Sequence, residues 1–309
     1  MDTKWVIILN PNAANGKAGK KWEQIKEGIL AALPIGEVVF TAYAKHAYEL
    51  VEQAIQEGYR KIIAAGGDGT HNEVVNGIFQ QQFVDIKELT YALLPIGTGN
   101  DWIRTHGISR KVDEWIDMMK KAHHIWHDIG IATLPKANEK RYFINIAGMA
   151  YDAFVVKYME RYRKWMPHPI FYRLMILWCL FKYRLENIEL KFNQIHLKTY
   201  FYTINIGLCR FSGGGMEICP HANPTDNQLA LTYAKRLSKL AVIFNTYRFF
   251  NGTIGELKAV DLVQAKEVTI DTRGVGVEVD GEYIGESPVQ FQILPSALKL
   301  IVTSYNPFV

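Results

Sequence analysis

The sequence predicts an α/β domain built on a parallel sheet, followed by a domain built on an antiparallel sheet. The chain has 309 residues, which suits two domains better than one. Residues 1–128 alternate strand-like and helix-like segments, as parallel sheets covered by helices do. From residue 129 to 295 most strand-like segments follow one another without intervening helices, which is typical of antiparallel pairing.

In the first domain, four short apolar runs predict strands, and a helical pattern follows each run. The predicted strands are WVIIL (Trp5–Leu9), EVVFT (Glu37–Thr41), KIIAA (Lys61–Ala65) and TYALLP (Thr90–Pro95). Apolar residues recur at helical spacing after them, and the last predicted helix lies around 112–122. Because the carboxyl ends of parallel strands meet at one edge of the sheet, we expect the loops there to share a ligand.

The second domain is predicted from seven strand-like runs. They are HDIGIAT, RYFINIAG, IELKFN, KTYFYTINIG, LALTYAK, EVTIDT and VGVEVDGEYIG. Two helical segments interrupt them, from Asp152 to about Tyr183 and from Lys239 to Phe250. The pattern of the last run, ALKLIVT (Ala297–Thr303), leaves open which domain it joins.

Composition excludes some classes of protein. Lys+Arg is 35 against Asp+Glu 31, a surplus too small to indicate nucleic acid as the main partner. The three cysteines, Cys179, Cys209 and Cys219, form no C-x-x-C pair, and the start MDTKWVIILNPN lacks a secretory pattern. The longest apolar run, Leu174–Phe181, falls far short of the roughly 20 residues that span a bilayer. We therefore expect a cytoplasmic protein.

The loop GGDGT follows the third predicted strand and opens a helical pattern. Gly66, Gly67 and Gly69 allow a sharp turn, and Thr70 is the expected N-cap. Backbone N–H groups at a helix N-terminus attract anions such as phosphate. Asp68 would repel a bare phosphate, so its presence predicts a divalent cation between the two. The alternative is a glycine turn without a ligand.

Two further loops are expected at the same edge. In LLPIGTGND, Gly97 and Gly99 flank Thr98 directly after the fourth strand, and the alternative is an ordinary turn capped by Asn100 or Asp101. In NPNAANGK the first strand ends, and the residues that offer donors are Asn12, Asn15, Gly16 and Lys17. This stretch does not match the Walker A pattern, which counts against an ordinary P-loop ATPase.

Together, NPNAANGK, GGDGTHNEVVNG and PIGTGNDWIR resemble the bacterial diacylglycerol kinase / lipid kinase family, which also includes sphingosine kinases. NAD kinases share GGDGT, and the following GTGND makes the resemblance specific. The resemblance implies a three-layer α/β/α nucleotide-binding domain like those of NAD kinases and diacylglycerol kinases at 1–128, to which 296–309 returns. It also implies a β-sandwich lipid-substrate domain at 129–295.

The loops and the resemblance together imply a site for ATP and Mg²⁺. The expected nucleotide-binding residues are Asn10, Pro11, Asn12, Ala13, Ala14, Thr41, Gly66, Gly67, Asp68, Gly69, Thr70, Asn72, Glu73, Gly97, Thr98, Gly99, Asn100 and Asp101. We expect Asp68 to organise the nucleotide's metal ion. The family often has Ser-Gly where this chain has Ala13-Ala14, so one hydroxyl contact with phosphate is missing.

The stretch CPHANPTDNQLAL resembles a family loop that binds a structural Mg²⁺. The resemblance implies the Asp226 side chain and the carbonyl groups of Asn223 and Gln228 as ligands, and oxygen ligands suit a hard cation. Asn227 stands where the family has glycine, and asparagine tolerates the left-handed conformation. A plain β-turn without an ion is the alternative.

The stretch VEVDGEYIGE predicts a hairpin with Asp280 and Gly281 at its turn. In the family, acidic residues of this segment supply the general base, and Asp280 and Glu282 both map onto them. A carboxylate within hydrogen-bonding reach of a hydroxyl can accept its proton. A hairpin without a catalytic role is the alternative.

The segment Lys157–Arg184 interleaves basic and aromatic residues with a single acidic residue, Glu160. This mixture favours contact with an anionic membrane surface. The alternative is a helix pair packed on the sheet or in a homodimer interface, and LMILWCLF, which is apolar all round, favours burial.

The sequence therefore predicts a cytoplasmic, peripherally membrane-associated lipid kinase that uses ATP and does not bind nucleic acid. Diacylglycerol is the first expectation for the lipid, with sphingoid bases, ceramide and phosphatidylglycerol as alternatives. An NAD kinase and a non-catalytic lipid or nucleotide sensor are the other two hypotheses.

Overall fold

The computed structural model describes residues 3–135, 139–162 and 169–303. The chain forms two compact units. The first comprises Met1–Ile129 and Pro295–Val309, and the second comprises Gly130–Leu294.

The first unit alternates strands and helices. Its elements are β1 (Trp5–Leu9), α1 (Lys17–Ala32), β2 (Ile35–Phe40), α2 (His46–Gln56), β3 (Lys61–Gly66), α3 (Asp68–Gln80), β4 (Thr90–Pro95), α4 (Trp102–His106) and α5 (Val112–Lys121). The strands pair in parallel in the order β2-β1-β3-β4. Every residue of β1 and β4 is buried, which explains their unbroken apolar sequences.

The second unit is antiparallel. Its elements are β5 (His124–Leu134), which begins in the first unit, β6 (Glu139–Phe143), β7 (Ile146–Ala150), α6 (Tyr151–Tyr162), α7 (Pro169–Lys182), β8 (Glu186–Phe192), β9 (Ile195–Gly207), β10 (Phe211–Ser212), β11 (Met216–Glu217), β12 (Leu229–Lys235), α8 (Lys239–Asn245), β13 (Val260–Ala265), β14 (Glu267–Ile270), β15 (Gly276–Val279), β16 (Glu282–Glu286) and β17 (Val289–Ile301). One run of neighbours is β16-β15-β7-β9-β8-β14-β17, and β9 also pairs with β12, which pairs with β13. Most of their inward residues form a large apolar core, and Ile146 of β7 and Ala230 of β12 belong to a smaller cluster beside Cys219.

The α/β unit followed by an antiparallel unit confirms the predicted fold class. Strand β17 is longer than the predicted run: it pairs with β14 at Val289 and with β4, in parallel, at Lys299. RYFINIAG forms two strands instead of one, and β13 was not predicted. The helix predicted over Lys239–Phe250 ends at Asn245 and continues as a 3₁₀ turn over Thr246–Phe249.

Candidate functional site

The two glycine loops of the first unit lie side by side because their strands are neighbours. Gly66 at the end of β3 pairs with Pro95 at the end of β4. The Gly97 amide donates to the Gly66 carbonyl oxygen at 2.8 Å. A β-carbon on Gly97 would lie 2.6 Å from the Gly67 nitrogen, so this approach of two backbones requires glycine.

Helix α3 begins earlier than the sequence predicted. Thr70 was expected as the N-cap, but the helix starts at Asp68 and Gly67 occupies the cap position. Thr70 instead packs its side chain on the backbone of Gly66, where an added β-carbon would lie 2.6 Å from the Thr70 Cβ. Asp68 therefore stands in the first turn of the helix, where the helix dipole favours a negative charge.

The Asp68 carboxylate faces the second glycine loop. Its Oδ2 accepts a hydrogen bond from the Asp101 amide at 3.2 Å, and a β-carbon on Gly99 would lie 2.7 Å from the same oxygen. Its Oδ1 is buried and has no hydrogen-bond partner among the described residues. Burial raises the pKa of Asp68, and the nearby Asp101 charge adds to the effect. A buried carboxylate oxygen without a donor is a natural ligand for a cation.

The second loop contributes another such oxygen. Asn100 is fully buried with a left-handed backbone (φ 53°), and its Oδ1 also lacks a hydrogen-bond partner among the described residues. Arg110 donates from Nη2 to the carbonyl oxygens of Thr98 and Gly99, which holds this loop and places a positive charge beside it. Arg110 was not predicted from the sequence, because nothing in its own neighbourhood distinguishes it from a surface arginine.

The loop after β1 is a tight, internally bonded turn. The Asn10 amide donates to the Ala65 carbonyl at 3.0 Å, and the Asn10 Oδ1 accepts the Asn12 amide at 3.0 Å. Ala14, Asn15 and Gly16 all have left-handed backbones. Ala14 has φ 56°, which explains the family's glycine at this position, since a β-carbon is strained there.

The other predicted nucleotide-binding residues surround these loops. Thr41 is buried directly after β2, and its amide donates to the Leu9 carbonyl at 2.8 Å. The Glu73 side chain accepts the Lys45 amide at 3.1 Å, which ties α3 to the start of α2. Asn72 is fully buried, and its side-chain oxygen accepts from Asn76 at 3.2 Å. Thr41 therefore holds the end of β2 against the end of β1, whereas Glu73 holds the loop between β2 and α2 against α3.

Three buried histidines, one each from α3, α4 and β5, form a group with the Trp102 ring. The rings of His71 and Trp102 are 4.3 Å apart, those of Trp102 and His106 4.4 Å, and those of His106 and His127 5.2 Å. The His71 Nδ1 also forms a hydrogen bond with the Tyr91 hydroxyl. Burial lowers the pKa of His71 to about 3 and that of His127 to about 4, and it lowers the pKa of His106 well below its usual value. The group is therefore neutral at physiological pH.

In the second unit, Asp280 and Gly281 form the predicted two-residue turn between β15 and β16. Both have positive φ, at 49° and 85°. The Asp280 carboxylate accepts hydrogen bonds from three consecutive backbone amides, those of Ile144, Asn145 and Ile146, each at 3.1 Å. These three donors fix the position of the carboxylate at the hairpin turn.

Glu282 has a different environment. Its carboxylate forms an ion pair with the buried guanidinium of Arg141, and its side chain remains 31% exposed. Beneath the turn, the buried Glu278 accepts the Gly281 amide at 2.8 Å, and burial raises the pKa of Glu278 well above its ordinary value. Neither Arg141 nor Glu278 was predicted from the sequence. Arg141 lies 141 positions away from Glu282, so no local pattern links the two residues.

The Asn223–Gln228 loop folds as a closed turn. Asn227 has φ 61°, which confirms that asparagine adopts the left-handed conformation expected of the family's glycine. The Asp226 Oδ1 accepts the Gln228 amide at 2.9 Å, and its Oδ2 accepts the side-chain amide of Gln264 at 3.2 Å. The oxygen-rich loop fits a hard cation, although the Gln264 amide group would have to turn away from Asp226.

The Lys157–Arg184 segment forms parts of α6 and α7, and residues 163–168 within it lie outside the described residues. Tyr158 and Trp178 pack edge to face across the two helices, and the Tyr151 hydroxyl donates to the Ile176 carbonyl at 2.9 Å. The expected burial of LMILWCLF holds for one face only. Cys179 and Leu180 are buried, whereas Leu174, Leu177, Trp178 and Phe181 are exposed.

Comparison with known proteins identifies the family. A model described as the diacylglycerol kinase catalytic domain matches residues 4–132, and one described as the YegS C-terminal NAD kinase β-sandwich-like domain matches residues 145–302. The chain is 26% identical to a diacylglycerol kinase of Mycobacterium tuberculosis, over 96% of this chain and 94% of that one. It is 25% identical to an Escherichia fergusonii protein named "probable lipid kinase YegS", over 95% and 94% of the two chains.

Among solved structures, a diacylglycerol kinase of Bacillus anthracis matches with a TM-score of 0.72 and 20% identity, covering 99% of this chain and 98% of that chain. These similarities indicate the domain organisation of the lipid kinase family, an α/β domain followed by a C-terminal β-sandwich. The chain belongs to the diacylglycerol kinase family. Within the part of the chain that the structure describes, no helix has the length and apolar character needed to cross a membrane.

Proposed function

We propose that this protein transfers the γ-phosphoryl group of ATP to the hydroxyl group of a lipid, with diacylglycerol as the acceptor. The observation that carries the proposal is the packing of two glycine loops, backbone to backbone, beside a buried Asp68 oxygen without a donor. Backbone N–H groups of glycine loops at a helix N-terminus can bind phosphate, and the carboxylate oxygen of Asp68 can bind a metal ion.

The residues present fit a magnesium ion at the glycine loops. Asp68 Oδ1 and Asn100 Oδ1 would hold it, both being buried oxygens without hydrogen-bond donors among the described residues. When bound, Mg²⁺ neutralises charge on the phosphates, which is a large part of the catalysis of phosphoryl transfer. The loops after β1, β3 and β4 would bind and orient the nucleotide through backbone amides, with Arg110 beside them.

We propose Glu282 as the residue that accepts the proton of the lipid hydroxyl, and Asp280 as the residue that positions the hairpin. Asp280 already accepts hydrogen bonds from three backbone amides, so most of its lone pairs are occupied by contacts within the domain. Glu282 keeps an exposed fraction of 31% while Arg141 fixes its orientation. The Asp226 loop would hold a second, structural Mg²⁺.

Kinetics of two isosteric variants separate these roles. Glu282→Gln should lower kcat by at least about a hundredfold in protein that remains folded, because it removes the proton acceptor, and its melting temperature should fall because the buried Arg141 guanidinium loses its counter-charge. Asp280→Asn should also lower the melting temperature, because the amide cannot accept three hydrogen bonds as the carboxylate does. If Glu282→Gln keeps the wild-type kcat, Glu282 is not the base.

The substrate is tested with radiolabelled ATP and a panel of lipids in mixed micelles. We expect label on diacylglycerol, and label on a sphingoid base, ceramide or phosphatidylglycerol would reassign the lipid. Incubation of the protein with NAD and ATP tests the NAD kinase hypothesis, which the GTGND loop disfavours. ATP hydrolysis without transfer to any lipid would favour the non-catalytic sensor. Peripheral membrane contact, a cytoplasmic location and a homodimer remain predictions.

A further inference from the structure

Helix α7 exposes an apolar stripe. Leu174, Leu177, Trp178 and Phe181 are 55%, 45%, 40% and 57% exposed. Their spacing of three and four residues places them on one face of the helix, opposite the buried Cys179. The inner face therefore packs on the domain, while the outer face leaves large apolar side chains in contact with solvent.

Helix α8 and the 3₁₀ turn after it repeat the pattern. Leu240, Ile243, Phe244, Tyr247 and Phe250 are 65%, 39%, 72%, 55% and 62% exposed. Their spacing again places the first four on one face. From the sequence this segment was predicted only as a helix that interrupts the sheet, and the function proposed above gives it no role.

The two stripes meet. The Lys239 ammonium at the start of α8 donates to the carbonyl oxygen of Phe181 near the end of α7, and it lies 5.7 Å from the centre of the Phe181 ring. We call the nine exposed side chains of the two stripes the α7–α8 surface. Soluble proteins seldom expose so many large apolar side chains together unless something binds there.

The charge of the α7–α8 surface indicates what binds. Residues 174–185 and 236–255 contain no aspartate or glutamate. The basic residues of the same two segments are Lys182, Arg184, Arg236, Lys239 and Arg248. Two of these cations lie beside exposed rings: Lys182 is 5.8 Å from the Trp178 ring centre and Arg248 is 5.4 Å from that of Tyr247. Glu256, which pairs with Arg248, is an acidic neighbour of the surface.

We infer that the α7–α8 surface inserts its apolar side chains into one leaflet of an anionic lipid bilayer. The inference rests on the proposed function, since a lipid kinase must reach a substrate held in a bilayer. Exposed aromatic and aliphatic residues rimmed by lysine and arginine are the composition of helices that lie in a membrane interface. The core of an interface with a second copy of the chain would be depleted of lysine instead.

The test measures vesicle binding without nucleotide. Leu240→Ser combined with Phe244→Ser removes the two most exposed side chains of the surface, and the matched control Phe83→Ser changes a 52% exposed phenylalanine of the first unit. Vesicles of phosphatidylcholine with phosphatidylglycerol should bind the double variant about thirtyfold more weakly than wild type, because two apolar side chains no longer leave water. The control should bind like wild type. Wild type should bind only weakly to vesicles of phosphatidylcholine alone, because these vesicles carry no net negative charge to attract the basic residues.

A second variant keeps the test independent of folding. Arg236→Gln changes an exposed charge, and it should weaken binding to the anionic vesicles severalfold at low salt. The inference is overturned if the double variant binds the anionic vesicles as tightly as wild type does. It is also overturned if wild type is a dimer and the double substitution makes it monomeric without weakening vesicle binding. Activity on a short-chain, water-soluble diacylglycerol should survive in both variants. If the wild type phosphorylates no lipid, the proposed function fails, while the vesicle comparison still decides the membrane contact.

Discussion

Replacing Gly97 with alanine should disable the nucleotide loops without unfolding the protein. The new β-carbon would lie 2.6 Å from the Gly67 nitrogen and 3.0 Å from the Gly66 carbonyl carbon. Both are backbone atoms, so no side chain can move aside, and an ordinary contact requires the two loops to separate by about 1 Å. A displacement of this size at a reacting centre costs about a hundredfold in rate. The strain should cost about 1–3 kcal/mol of stability.

The assay compares kcat/KM for ATP and the melting temperature of Gly97→Ala with those of Gly28→Ala. Gly28 lies within α1, where an added β-carbon meets nothing within 4 Å. Alanine there should leave activity unchanged and stabilise the helix by up to about 1 kcal/mol. We expect Gly97→Ala to lose about two orders of magnitude in kcat/KM while remaining folded. Wild-type kcat/KM in Gly97→Ala would refute the assignment of these loops to the nucleotide.

Three further predictions concern Asp68, the Asn223–Gln228 loop and the buried histidines. Asp68→Ala should lower phosphoryl transfer by at least about a hundredfold in protein that remains folded, and wild-type turnover would remove Asp68 from the metal site. Added Mg²⁺ without nucleotide should raise the melting temperature of wild type and less that of Asp226→Ala, and equal rises would exclude the Asn223–Gln228 site. The lowered pKa values of His71 and His127, about 3 and about 4, mean that the unfolded chain binds protons that the folded chain excludes. The contribution of each of these histidines to the free energy of unfolding should therefore be constant above about pH 6.5 and fall toward about pH 4 by up to about 1.4 kcal/mol per pH unit, and denaturant titrations should show a smaller loss of stability on acidification for His71→Phe than for wild type.

The first unit could be predicted well from the sequence because its signals are local. Apolar runs mark buried parallel strands, and glycines directly after β3 and β4 mark where the backbone must turn. The helix start was misplaced by three residues, since Thr70 is the better capping side chain in isolation while packing on Gly66 turns it inward. No local rule reports that packing.

The contacts that distinguish Asp280 from Glu282 could not be predicted, because they join distant parts of the chain. The amides that hold Asp280 belong to residues about 135 positions earlier, and Arg141 is 141 positions from Glu282. The exposed face of α7 was likewise hidden, because a helix that is apolar all round carries no periodicity to indicate which side meets the core.

The most direct measurement is the transfer of label from radiolabelled ATP to diacylglycerol in mixed micelles by wild type, Gly28→Ala and Asp68→Ala under the same conditions. The proposed function predicts labelled phosphatidic acid from the first two proteins and at most about one hundredth as much from Asp68→Ala. Absence of labelled lipid with the folded wild-type protein, or equal labelling by all three, would contradict it.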